Sequence, residues 1–304
     1  MKNSHTLLML AAAFIIPAST LAQTTALSNI TTNRGLVFSK TPGKDLALDL
    51  YRPQKPSRKL PVVVLIYGGA WMMRFPQSQT SKAEWLAQQG YAAAVIDYRL
   101  SSEARFPAQI YDCKAAVRWL RANAKKYDLD PALIGAWGDS SGGHLAGLLG
   151  VTGGITNLEG DDGNPNESSR VQAVVDFFGP ADLTQMNSHA LPGSRIAYGT
   201  ANSPEGMLIG GPVADHLETA RLASPVNFAT NSPPPFLIVH GDHDQLVPWQ
   251  QSELLYEALK NAGADVTFYT IAGAGHEDPK FNSEMMRAAV KAFFDKNLTA
   301  KKSK

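Results

Sequence analysis

The stretch Gly138-Asp139-Ser140-Ser141-Gly142-Gly143-His144 lies between a segment that reads as a strand, residues 133–137, and one that reads as a helix, residues 141–149. Between a strand and a helix, the spacing G-x-S-x-G describes a sharp turn that presents its central serine. Glycines on both sides let neighbouring backbones pass closely. Ser140 is thereby held at the carboxyl edge of a sheet, near the positive end of the following helix. Without those flanking elements the same residues would read as an ordinary Gly/Ser-rich turn. A serine hydroxyl is a weak nucleophile until a base takes its proton.

Seven histidines are available as that base. His5 lies in an N-terminal apolar leader. His144 sits one turn into the helix after Ser140 and reads as a packing residue. His189 and His216 fall in a strand-poor region, and His240 ends a strand and supports its turn. His243 is a loop residue between Asp242 and Asp244. His276 follows the last strand, in a loop with Gly273 and Gly275 that can reach back across the carboxyl ends of the strands. Its late position suits a general base. The acid that orients it is expected between Ser140 and His276. Asp244, in His240-Gly241-Asp242-His243-Asp244, is the choice, and Asp242 is the alternative that the sequence leaves open. A turn-capping role is the bland reading of either.

Acyl transfer also needs donors for the charge on a tetrahedral intermediate, each worth about 2.7–4 kcal/mol. Tyr67-Gly68-Gly69-Ala70-Trp71 follows an apolar strand, and its small residues can expose backbone N–H groups. Gly69 and Ala70 are assigned this role, with the N–H of Ser141 as the third donor and Gly68 permitting the turn. Trp71, Met72, Phe177 and Phe178 are expected to line an acyl or aromatic pocket.

The elements that must position these groups alternate strand and helix, which predicts an α/β fold with a mainly parallel sheet of about eight strands. Expected strands are residues 35–38, 46–51, 61–67, 92–98, 133–137, 171–178, 236–239 and 266–271. The run 62–66 has no polar alternation, as in a strand covered on both faces. Expected helices are residues 81–89, 107–126, 141–149, 250–262 and 282–297. Residues 183–224 carry no strand signal and read as a small cap inserted over the strand ends.

Of the 304 residues, 44% are hydrophobic and 18% charged, which excludes a disordered chain. The formal net charge of +1 gives no basis for bulk nucleic-acid binding. Lys2, the apolar run 7–16 and the small residues after it form a secretory leader, with Thr20 and Ala22 preceding a cut before Gln23. That run is too short for a membrane anchor. The expected organisation is a leader over 1–22 and one domain over 23–304, secreted or periplasmic. Removing the leader takes away Lys2 and no acid, leaving positive and negative side chains equal in number. The single cysteine, Cys113, reads as a packed residue, so the exported chain folds without a disulfide. His240 and His243 have metal-ligand spacing, but the turn explains them better. Asp161, Asp162, Asn164 and Glu167 lack the full spacing of a calcium loop. No metal or organic cofactor is implied.

Together, Tyr67-Gly-Gly-Ala-Trp71, Asp97-Tyr-Arg-Leu100, the Ser140 turn, Val175-Asp-Phe-Phe-Gly-Pro-Ala-Asp182, His240-Gly-Asp-His-Asp244 and Gly275-His-Glu277 resemble serine esterases of the α/β-hydrolase fold. The similarity is to the hormone-sensitive-lipase-like and carboxylesterase group, with bacterial feruloyl and acetyl-xylan esterases the nearest in character. It extends over residues 46–294. Where that group usually begins the oxyanion loop with His, this chain has Tyr67. The resemblance implies that Ser140 attacks an ester carbonyl while His276 moves the proton. Short acyl or aromatic-acid esters, including acetyl or feruloyl groups on plant polysaccharide, are the implied substrates. A prolyl-oligopeptidase-like peptidase and a non-catalytic binding protein of the same fold are the competing readings. Export with cleavage predicts a mature chain that begins at Gln23. N-terminal sequencing of protein from the periplasm or medium checks this, and an intact Met1 on protein retained in the cytoplasm overturns it.

Overall fold

A computed structural model describes residues 29–194, 196–230 and 232–298. The proposed leader lies outside the described residues. An eight-stranded sheet runs in the order β1-β2-β4-β3-β5-β6-β7-β8. Its strands are β1 (Ile30–Thr41), β2 (Lys44–Pro53), β3 (Leu60–Ile66), β4 (Ala92–Ile96), β5 (Leu129–Asp139), β6 (Ala173–Phe177), β7 (Phe236–Gly241) and β8 (Val266–Ile271). The pairs β1/β2 and β2/β4 are antiparallel, and every other pair is parallel.

Every residue of β3, β4, β6 and β7 is buried. Successive side chains along each strand enter opposite faces, as the period of two requires. Val62, Val64 and Ile66 join one core, which also holds side chains of α2 (Ala108–Ala122), α3 (Ser141–Val151) and α6 (Gln250–Asn261). Val63 and Leu65 join the other, against α1 (Thr80–Gln88) and α7 (Glu284–Asn297). Two helical layers thus cover the sheet.

Element ends differ from the sequence reading for local reasons. β1 is far longer than residues 35–38 because polar residues such as Thr31 and Thr32 pair with β2 in a half-exposed hairpin. The last helix starts at Glu284 rather than 282, because the Ser283 hydroxyl caps it by accepting the Met286 N–H at 3.3 Å. The described residues of 183–224 contain no strand; they form turns and two short helices, α4 (Pro204–Ile209) and α5 (Leu217–Leu222). Leu208, Val213 and Ala220 seat this segment on the core.

The junction between β5 and α3 is the tightest place in the fold. A Cβ on Gly138 would strike the Gly142 carbonyl, and one on Gly142 would strike the Ile66 carbonyl of β3. The helix can approach the sheet only because both side chains are absent. Gly142→Ala is expected to cost about 1–3 kcal/mol through backbone displacement, read as a lower urea midpoint. An unchanged midpoint would show that the junction can relax.

Candidate active site

Ser140 sits between β5 and α3 with φ 54° and ψ −123°, a conformation that L-residues adopt only under constraint. Its N–H donates to the Phe177 carbonyl at 2.8 Å, and its own carbonyl accepts the His144 N–H at 3.0 Å. The Ser140 hydroxyl lies 3.0 Å from Nε2 of His276. On the other side of the ring, Nδ1–H of His276 donates to Oδ2 of Asp244 at 2.6 Å. Side chains from three distant segments therefore form one hydrogen-bonded chain. The ring of Phe178 packs edge-on against His276, with centroids 4.7 Å apart.

Asp244 is fully buried. Its Oδ1 accepts the N–H groups of Leu246 at 2.8 Å and Val247 at 2.9 Å. His240 approaches Oδ2 through Nε2 at 3.2 Å, while its Nδ1 accepts from the Ser252 hydroxyl at 2.7 Å. Burial alone would raise the Asp244 carboxyl; the hydrogen bonds from His240 and His276 outweigh it and hold the group well below the usual carboxylate range. Asp242, the alternative, points elsewhere: it accepts from Nδ1 of His243 at 2.6 Å and from the Gly273 N–H at 2.7 Å. His240 is buried and His243 is exposed, so the two do not share a site.

The loop after β3 turns through Gly69, Ala70 and Trp71, with φ of 130°, 55° and 58°. The Gly69 carbonyl closes the turn by accepting the N–H groups of Met72 and Met73, both at 2.9 Å. Among the described residues, the N–H groups of Gly69, Ala70 and Ser141 have no protein acceptor. Ser141 is the first residue of α3, where a backbone donor has no partner in the helix. All three residues line a cavity of about 210 Å³ beside Ser140 and His276. The walls of this cavity are largely apolar and include Trp71, Met186, Ile196, Pro204, Leu246 and Val247.

Tyr67 anchors this loop. Its hydroxyl donates to Oδ1 of Asp97 at 2.8 Å, and its carbonyl accepts from the Tyr98 hydroxyl at 3.1 Å. Burial, followed by the neighbouring Tyr98 and Asp97, pushes the Tyr67 phenol far above its ordinary range, so it remains a donor. Arg74, just beyond the loop, pairs with Asp97 and, at 2.6 Å, with Glu103.

His144 is a second brace. The Trp71 indole donates to its Nδ1 at 3.2 Å, and its Nε2–H donates to the Ala223 carbonyl at 2.6 Å. One neutral imidazole thus ties the loop to the inserted segment.

The four residues expected to line a pocket separate. Trp71 is buried and borders the apolar cavity. Met72 borders neither cavity near Ser140; the two left-handed residues before it rotate the chain, and Met73 takes that place. Phe177 and Phe178 are buried in an aromatic cluster with Phe281 and border a second, larger cavity instead. Reasoning from sequence missed Met186 and Ile196, which stand in a segment without periodicity. It also missed Asp176, a lone acid in the apolar strand β6. Complete burial raises the Asp176 carboxyl to about 7, with the Gly179 N–H donating to it at 3.0 Å.

An open, mostly parallel sheet, a serine on a strained strand-to-helix turn and a His–Asp pair across the strand ends define the α/β-hydrolase fold with a site of the serine-hydrolase type. Residues 48–259 match the BD-FAE family, and the chain belongs to it. Esterase LipC of Mycobacterium tuberculosis is 32% identical over 75% of this chain, which spans 56% of that protein's length. A truncated carbohydrate esterase from gut microbiota has a similar structure, with a TM-score of 0.79, 35% identity and coverage of 88% of this chain and 95% of the other. A propionate-bound esterase from Thermogutta terrifontis gives a TM-score of 0.72 at 26% identity, over 91% of this chain and 98% of its own.

The His144 ring makes stability acid-sensitive. Burial pushes it from 6.5 down to about 4, although the Ala223 carbonyl favours the charged form. The unfolded chain therefore binds a proton in that interval that the folded chain does not. The contribution of this ring to stability is complete above pH 6.5 and falls toward pH 4. The loss is on the order of 3 kcal/mol at about 1.36 kcal/mol per pH unit. Urea unfolding at pH 7 and pH 4.5 should show a smaller fall for His144→Gln than for the parent chain. Equal falls would remove His144 as the cause.

Proposed function

We propose that this chain is an exported serine carboxylesterase that cleaves short-chain acyl or aromatic-acid esters through an acyl-enzyme. The observation that carries this reading is the Ser140–His276–Asp244 chain beside three unpaired backbone donors at the wall of an apolar cavity. Nε2 of His276 carries no proton when Nδ1–H is held by Asp244, so it can accept the Ser140 proton as Oγ attacks the ester carbonyl. The N–H groups of Gly69, Ala70 and Ser141 receive the oxyanion. The imidazolium then gives its proton to the departing alcohol. Water enters by the same route and releases the acid, restoring Ser140. The buried Asp244 carboxylate stabilises the transient imidazolium.

The apolar cavity of about 210 Å³ supports an acetyl, butyryl or phenylpropenoyl group rather than a long acyl chain. The names of the relatives, esterases and a carbohydrate esterase, agree in chemical class. Export would place the enzyme where acetyl or feruloyl esters of plant polysaccharide are met.

The mature chain should hydrolyse 4-nitrophenyl acetate, 4-nitrophenyl butyrate and methyl ferulate, and a long-chain 4-nitrophenyl ester much more slowly. Ser140→Ala should remove turnover to background, and Asp244→Asn should lower kcat about ten-thousand-fold through the wrong His276 tautomer. Cleavage of a proline peptide in place of esters, or binding without turnover, would overturn the reading.

A further inference from the structure

We propose that Glu205 selects acyl groups that carry an amine, its carboxylate holding an ammonium at the far end of the acyl chain inside the apolar cavity. This rests on the serine-esterase reading above and concerns which acids that site accepts.

Glu205 lies on α4, in the inserted segment, and borders the cavity that Ser140, Ser141 and His276 also border. It is 2% exposed. Its Oε1 accepts the Gly199 N–H, which fixes the side chain. Its Oε2 has no hydrogen-bond partner among the described residues, yet it is not among the unpartnered oxygens that the protein seals off. The small surface left to it faces the cavity that the residue borders. An acid this deeply buried is rarely found without a partner. Among the described residues Glu205 has no ion-pair partner.

The rest of the wall sharpens the demand. Among the described residues that border this cavity, Glu205 and Glu277 are acids and none is Lys or Arg. The indole of Trp71 borders it too, and an indole face attracts a cation. A plain hydrocarbon group would drive water from Oε2 and leave that oxygen unpaired. An anionic group would meet two like charges. A hydroxyl could donate to Oε2 but would leave the charge uncompensated. An ammonium supplies both the proton and the opposite charge, and such charge-assisted bonds are about twice as strong as neutral ones. The fold has already taken the carboxylate out of water, so binding does not carry that cost again. The reaction is the one given above: Ser140 takes the aminoacyl group, the alcohol leaves with the proton from His276, and water releases the free amino acid.

The test uses methyl esters in pairs of equal size at pH 7, where an alkylamine is charged: methyl 3-aminopropanoate against methyl butyrate, and methyl 4-aminobutanoate against methyl pentanoate. Methyl 3-hydroxypropanoate is the neutral donor control. For at least one pair the parent chain should show kcat/KM about tenfold or more in favour of the amine. Glu205→Gln keeps an acceptor for the Gly199 N–H and removes the charge; with melting by circular dichroism like that of the parent, it should bring the ratio near one. Glu277→Gln, at the exposed mouth, should change it less. A readout on the parent alone is inhibition of 4-nitrophenyl acetate turnover, where propylamine should bind about tenfold more tightly than 1-propanol. Ratios near one in both pairs, a ratio that Glu205→Gln leaves unchanged, a preference for the hydroxy ester over the amine, or equal inhibition by propylamine and 1-propanol overturns the proposal. Turnover of 4-nitrophenyl acetate in any of those cases leaves the esterase reading standing. No turnover of any ester removes both.

Discussion

The left-handed backbone at Ser140 is the constraint from which the rest of the site follows. Holding a non-glycine residue in a sparsely populated region costs on the order of 1–3 kcal/mol and persists only where the surroundings over-determine it. Here β6 fixes one side, through the Phe177 carbonyl at 2.8 Å from the Ser140 nitrogen. The helix α3 fixes the other, since Ser141 through Leu149 are all buried. Gly138 and Gly142 remove the two Cβ atoms that would hold the helix off the sheet. The hydroxyl is therefore aimed by packing, at no further cost when a substrate arrives.

Three imidazoles near this turn have the same covalent structure and different roles, because their partners differ. His276 stands between a hydroxyl and a carboxylate, where a proton can move in both directions. His240 is buried between Asp244 and Ser252 and helps to keep the carboxylate charged. His144 has a backbone carbonyl on one nitrogen and an indole donor on the other, so it remains neutral and acts as a strut. The Tyr67–Asp97–Arg74 group holds the far end of the same loop. A phenol in place of an imidazole at position 67 thus still fixes the loop, since what the chemistry needs from it is the placement of the following amides.

The parts of the fold that could be read in the chain are those with a one-dimensional signature. β3 is an unbroken apolar run because helices cover both of its faces, and its bounds differ from expectation by a residue at each end. The residues of β1 outside 35–38 were harder to read, because a half-exposed hairpin keeps its polar residues and is held by pairing with β2. The inserted segment gave only a negative signal, the absence of strands. Its side chains at the apolar cavity, Met186, Ile196 and Pro204, are brought there by a path without periodicity. Met73 replaced Met72 at the cavity because three successive residues, Gly69, Ala70 and Trp71, adopt positive φ, which alternation cannot foresee.

Order and spacing along the chain determined the candidate nucleophile and the candidate base, and narrowed the acid to Asp244 or Asp242. Short-range chemistry is enough for that: glycines flank a serine that must turn sharply, and acids and histidines gather at strand ends. Tertiary structure alone decided that Asp244, not Asp242, faces His276, that Phe177 and Phe178 support the site from the core, and that a polar cavity lies beside an apolar one. Those outcomes depend on which side of a loop faces inward and on how distant walls meet. Both are settled by packing in three dimensions, to which residues far apart in the chain contribute together.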